Sequence, residues 1–395
     1  MLSRVLAIVC AAALPLGWLV VHDGGWVQAP PLVALCSGLG IFGAAFLLSW
    51  AAEVAELDVP RAFALAALAL IAVLPEYAVD VYFAWRAGKD PTYTAYATAN
   101  MTGANRLLLG VGWAVPVLAA WARFGQKVVE LPRGEAVEIR YLALATLYSF
   151  VIPLKGTLHI VDSLVLFSIF AAYVRAALRS HHAERELEGV PAMLVQLGPA
   201  GRRLSALALA GLAGVGILTA AEPFAESLIH TGKGWGIEEF LLVQWLAPLA
   251  SESPEFIVAL LFSLKGFAAA GICMMVSSKV NQWTLLVGAL PLAYGISSGG
   301  DFAMQLDMRQ REEIFLTSAQ SLFGLVIIAN FRFTVFEAMA LFVLFAAQLF
   351  FTSATARWFY ALLYILLAIW MVAASADTRR AARDLLPRFS RPGGG

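Results

Sequence analysis

The 395-residue chain is short of most things that soluble chemistry draws on. Charged residues make up 14%, there are five histidines and three cysteines, and 27 Lys plus Arg balance 27 Asp plus Glu. A net charge of zero offers no basic surface for nucleic acid. Cys10, Cys36 and Cys273 sit in separate apolar stretches, without the spacing of a disulfide framework or a thiolate metal site. The histidines are scattered and no H-E-x-x-H is present, which removes a common zinc-hydrolase pattern. No polar stretch is long enough for a soluble domain. The longest, Arg175 to Arg203, reads as a cytoplasmic linker, and its His181 and His182 as solvated residues rather than metal ligands.

Apolar residues are what the chain has, at 61%. Many stretches approach the roughly 20 residues that span a bilayer. The pattern predicts an all-α polytopic membrane protein. Its twelve helices are expected at about 4–21, 31–52, 62–86, 93–121, 138–153, 156–178, 203–221, 237–264, 267–298, 312–330, 332–350 and 356–374. The first follows Arg4 and lacks a small-x-small cleavage site, so it reads as a retained helix rather than a signal peptide.

Two segments 179 residues apart repeat one another. Pro75-Glu76-Tyr77-Ala78-Val79 leads on to Phe83 and Arg86, and Pro254-Glu255-Phe256-Ile257-Val258 to Phe262 and Lys265. Alternating twelve spans from the N-terminus puts eighteen Lys and Arg on one side and seven on the other, with Arg106 and Lys279 inside spans. The positive-inside rule then places both termini in the cytoplasm. Arg86 and Lys265 fall on opposite sides, so the halves read as inverted copies, a transporter architecture. The division is 1–30 for an extra first helix, 31–178 for one repeat with its core at 62–121, and 179–202 for the linker. Then come 203–350 for the second repeat with its core at 237–298, and 351–395 for an extra helix and basic tail.

A carboxylate in hydrocarbon is costly and marks an ion or proton site by default. Glu76 and Glu255 lie roughly 15 and 13 Å from their helix ends, near the middle of a core about 30 Å thick. Pro75 and Pro254 are expected to kink or break their helices. Asp80 and Glu252 reinforce the two faces. The following helices carry Thr98, Asn100, Thr102 and Asn105, and Ser277, Ser278 and Asn281. These oxygens suit a hard cation such as Ca²⁺ or Na⁺. Arg106 and Lys279 sit too deep to snorkel easily. The four acids against these two cations leave a formal balance of minus two, matching one Ca²⁺ or two monovalent ions. Each group also has a structural reading. The asparagines can join helices, Thr98, Thr102, Ser277 and Ser278 can bond back to their own helix, and Asp80 can pair with Arg106 or Lys279. Glu222 and Glu226 read as ordinary solvated carboxylates, Glu238 and Glu239 as a helix start, and His159 as structural.

The paired Pro-Glu helices, each followed by a helix of small and polar residues, resemble the two α-repeats of the sodium/calcium exchanger superfamily of cation antiporters. Asn100-Met101-Thr102-Gly103-Ala104-Asn105 is similar to the first-repeat G-N-x-x-G-S-N pattern, and Ser277-Ser278-Lys279-Val280-Asn281 is a looser match in the second. The resemblance covers 62–121 and 237–298, with the surrounding helices by topology. It implies a ten-helix core, alternating access, Glu76 and Glu255 as central Ca²⁺ ligands, and inorganic cations and the bilayer as partners, with no cofactor. The sequence departs from the pattern in two places. Ala72-Val73-Leu74 has no hydroxyl before the first Pro-Glu, and Lys279 stands where the family has glycine. Protons therefore stand beside Na⁺ as the coupling ion. A monovalent Na⁺/H⁺ antiporter on the same fold is the alternative, and an intramembrane metal hydrolase or a channel is a more distant one.

Overall fold

A computed structural model describes residues 2–55, 57–58, 74–179, 187 and 189–385. Most of its helices fall on the predicted segments in order, with two short ones, at Gly189–Leu194 and Ala376–Leu385, outside them. α1 (Leu2–Asp23) and α2 (Pro30–Ala55) open the chain, and α3 (Leu74–Ala87) is the described part of the third segment. The hydroxyl-free approach at Ala72-Val73, Arg61, His181-His182 and Arg185 lie outside the described residues. α4 (Tyr93–Leu107) passes through a π-helical turn, Leu108–Trp113, into α5 (Ala114–Phe124). β1 (Val128–Glu130), α6 (Ala136–Ser149), α7 (Val151–Lys155), β2 (Thr157–His159) and α8 (Ile160–Ala177) complete the first half. The second half holds α9 (Gly189–Leu194), α10 (Gly198–Trp235), α11 (Glu239–Leu264) and α12 (Ala268–Asn281). A π turn at Gln282–Leu286 leads to α13 (Val287–Ser297), β3 (Ala303–Gln305), α14 (Met308–Ile328), β4 (Arg332–Thr334) and α15 (Val335–Gln348). α16 (Ala354–Ala374) and α17 (Ala376–Leu385) end the chain.

Among the described residues, seven helices are long and apolar enough to cross a membrane, or eight if bent α11 counts as one span. Twelve is not reached on length and hydropathy alone. α14 falls short because it carries Glu312 and Glu313 and the buried polar run Thr317, Ser318, Gln320 and Ser321. α15 has only 14 residues. Two boundaries also move. Part of the expected linker 179–202 is helical, at α9 and the start of α10, and α10 runs 38 residues instead of ending near 221. Its extension takes in Glu222 and Glu226.

The chain forms two compact units, one of Met1–Ala104, Thr157–Ile257 and Leu285–Leu306, the other of Asn105–Gly156, Val258–Thr284 and Asp307–Gly395. In the first, α2 packs against α1 and α10 through Ala11, Ala44, Leu47, Leu48, Ala213 and Ile217. In the second, α14 packs against α6 and α16.

Local structure repeats between the halves. β2 pairs with β3 in the first unit and β1 with β4 in the second, both antiparallel. A shift of 175 residues carries β1 onto β3 and β2 onto β4. It also carries Gly156, with φ of 72°, onto Phe331, with φ of 60°. Gly156 takes the left-handed turn without strain, whereas Phe331 is the one non-glycine with positive φ among the described residues. The helices that follow, α8 and α15, both start with capping boxes, His159 with Asp162 and Thr334 with Glu337. His159 is the structural residue expected, its Nδ1 accepting from the Val161 N–H at 3.2 Å.

Candidate cation site

In the first unit, the described part of α3 carries Glu76 and Asp80, both buried, at 3% and 0% exposure. Their spacing of four puts them on one helix face. On α4, Asn100 is buried too. The Asp80 carboxylate lies beside the Asn100 amide, yet neither side chain completes a hydrogen bond of good geometry among the described residues. A buried carboxylate so placed must be neutralised by a cation or a proton to be tolerated. Thr98 and Thr102 do bond back, donating to Thr94 O at 2.9 Å and Thr98 O at 2.7 Å. Thr102 also sits at 3.5 Å from the Gln244 amide of α11. The two backbones nearly touch here, since a Cβ at Gly103 would come within 1.8 Å of the Gln244 carbonyl oxygen. Only glycine permits so close a crossing.

α11 bends by 57° between its Glu239–Ser253 and Glu255–Leu264 segments, the break expected where Pro254 removes a hydrogen bond. Glu252 lies buried before the bend and Glu255 half-buried after it. The Ser251 and Ser253 hydroxyls are turned into their own helix, onto Ala247 O and Leu249 O. Glu239 opens α11, as expected of an acid at a helix start.

In the second unit, Lys279 is fully buried on α12. Its ammonium donates to Asn105 Oδ1 at 2.7 Å and to the Asn105 carbonyl at 3.0 Å, and lies 4.6 Å from the Trp283 ring centroid. Arg106, also buried, reaches Glu313 Oε2 at 2.7 Å. Glu313 and Asn105 supply partners to these two cations that the alternative pairing with Asp80 does not include. Asn281 is buried, with Ser277 and Ser278 half-buried on the same helix.

Further buried charges stand beside these. Glu312 holds Arg357 of α16 at 2.8 Å, and Arg357 stands 3.9 Å from Glu313. Glu138 of α6 is the repeat counterpart of Glu313, 175 residues earlier, and both are buried. The Glu138-Ile139 and Glu313-Ile314 pairs carried that signal in the sequence. Glu226 was misread. It accepts from Tyr82 Oη at 2.6 Å and Tyr93 Oη at 2.7 Å, with Arg86 at 3.7 Å, tying α10 to α3 and α4.

Among the described residues, no three His, Cys, Asp or Glu side chains stand together as a metal-holding group. A cation here would complete its shell with amide, hydroxyl and carbonyl oxygens, as Ca²⁺ readily does.

The sequence pattern of the sodium/calcium exchanger protein family matches residues 29–179 and 205–354, which is most of the chain. The chain belongs to that family. Among solved structures, this exchanger is similar to the H⁺/Ca²⁺ exchanger CAX, with 45% identity, 97% of this chain and 98% of that chain covered, and a TM-score of 0.92. It shares the fold alone with two more distant structures. One is the Ca²⁺/H⁺ antiporter protein YfkE, at 12% identity, TM-score 0.63 and coverage of 89% and 99%. The other is the sodium-calcium exchanger NCX_Mj, at 14% identity, TM-score 0.54 and coverage of 86% and 99%. No curated protein matches the sequence.

Proposed function

We propose that this exchanger is a secondary antiporter that moves Ca²⁺ against H⁺ by alternating access. The reading is carried by the 45% identity, over nearly the whole chain, to a protein whose own name is H⁺/Ca²⁺ exchanger. The buried acids support it. Glu76 and Glu255 are the central cation ligands, with Asp80 and Glu252 adding charge on the same helix faces. Asn100, Asn281, Thr102, Ser277 and Ser278 are neutral oxygen donors to the shell, while Lys279, held by Asn105, and Arg106 are counter-charges. When Ca²⁺ leaves, the acids cannot stay ionised in an apolar interior, so they take up protons before the protein changes sides. That requirement couples the two fluxes. The repeats, 31–178 and 203–350, would open the site to one face at a time. The protein would reside in the cell membrane with both termini cytoplasmic.

The test is ⁴⁵Ca²⁺ uptake into proteoliposomes under an imposed pH gradient, and separately under a Na⁺ gradient. Uptake driven by pH alone, and lost in Glu76→Gln and Glu255→Gln, is the expected result. Ca²⁺ that moves under neither gradient, while ²²Na⁺ moves with pH, would establish the monovalent antiporter instead.

A further inference from the structure

Aligning Asn105 with Asn281 sets Gly103 of the first repeat against Lys279 of the second. The first repeat has no room for a side chain at this position. The second places a long cation there, wholly out of solvent. Its ammonium takes both oxygens of Asn105, at 2.7 and 3.0 Å, and the Trp283 ring face lies against it. An aromatic face attracts a cation through its quadrupole. A π turn begins three residues after Asn105, at Leu108, and such a change of register interrupts the helix ladder. Two oxygens from one residue, converging on a single positive charge in an apolar interior, form a partial shell of the kind a hard monovalent cation seeks.

We propose that Lys279 is a tethered cation that fills the place of a monovalent coupling ion on Asn105 and thereby excludes Na⁺ from the exchange cycle. The inference rests on the Ca²⁺/H⁺ reading above and assigns Lys279 as a specificity-determining residue. A covalently attached ammonium cannot diffuse away, so Na⁺ cannot displace it by mass action. Its charge also repels a second cation from the same two oxygens.

Wild type, Lys279→Ala, Lys279→Ser and Lys279→Arg are compared as purified protein and in proteoliposomes. ²²Na⁺ binding and ⁴⁵Ca²⁺ uptake under a Na⁺ gradient at equal pH are measured. Wild type and Lys279→Arg are expected to ignore Na⁺. The Ala and Ser variants are expected to bind ²²Na⁺ and to raise Na⁺-driven Ca²⁺ uptake about tenfold over wild type, a usual size for coupling between sites. Monodisperse Ala and Ser variants that stay blind to Na⁺ would overturn the inference. So would ²²Na⁺ binding to wild type in competition with Ca²⁺, a measurement that decides the matter even where the substitutions fail to fold. Failure of the underlying reading looks different, because wild type would then show no Ca²⁺ uptake under a pH gradient.

Discussion

Arg106 and Glu313 show what a buried charge demands of its surroundings. Each is almost wholly enclosed, and their 2.7 Å contact takes two ions out of water together. A buried pair of this kind adds little net stability over an apolar replacement, but removing one partner strands the other. Arg106→Met should therefore destabilise the protein by about 3–5 kcal/mol, and Glu313→Gln introduced beside it should recover a large part of that loss. Thermal unfolding of both single variants and the double variant in detergent checks this as a cycle. Strictly additive losses would mean that the contact does not couple the two residues. Glu76, Asp80 and Lys279 were legible as buried charged groups because charge is rare in an apolar segment. Their partners were not. Glu313 lies in the other repeat from Arg106, and nothing local joins them.

At the scale of elements, Asp58 pins the end of α2 to the start of α10. Its carboxylate accepts from Arg202 at 2.7 and 2.5 Å and from Arg203 at 3.1 Å. The hydrogen-bonded Arg202 guanidinium, with Arg203 adding to it, holds the Asp58 carboxyl down at about 2 from an ordinary 3.8. A depressed folded-state value means that the clamp stabilises fully above the unfolded value and is lost as pH falls toward the folded one. Asp58→Asn should thus lower the melting temperature at neutral pH, with the gap to wild type closing as the pH drops below about 4. A gap that persists unchanged to pH 3 would contradict the clamp. α10 also shows where hydropathy misleads. Apolar patterning fades near residue 221, so Glu222 and Glu226 read as ordinary solvated carboxylates. The helix runs on to Trp235, and Tyr82 and Tyr93 donate hydrogen bonds to the Glu226 carboxylate on this extension.

For the whole molecule, the asymmetry of eighteen cations against seven predicts cytoplasmic termini. A cysteine placed at Ser375, beyond α16, in a chain whose own three cysteines are replaced, should be labelled by an impermeant maleimide only when the cytoplasmic face is open. Labelling from the outer face of intact cells would reverse the assignment and the inverted reading of Arg86 and Lys265 with it. The repeat itself was visible in the Pro-Glu segments, and the structure extends it to paired strands, capping boxes and π turns. The π turns, the small sheets and the left-handed Phe331 leave little trace in composition, since each depends on contacts made after the helices pack.

The sequence by itself determined that this is a helical membrane protein with buried acids on repeated elements, because hydrophobic length and the cost of charge in lipid act on single segments. Which charge answers which was left to the tertiary structure. Arg106 with Glu313, Lys279 with Asn105 and Arg357 with Glu312 are choices made by helices distant in the chain, where short-range geometry outweighs any pattern along it.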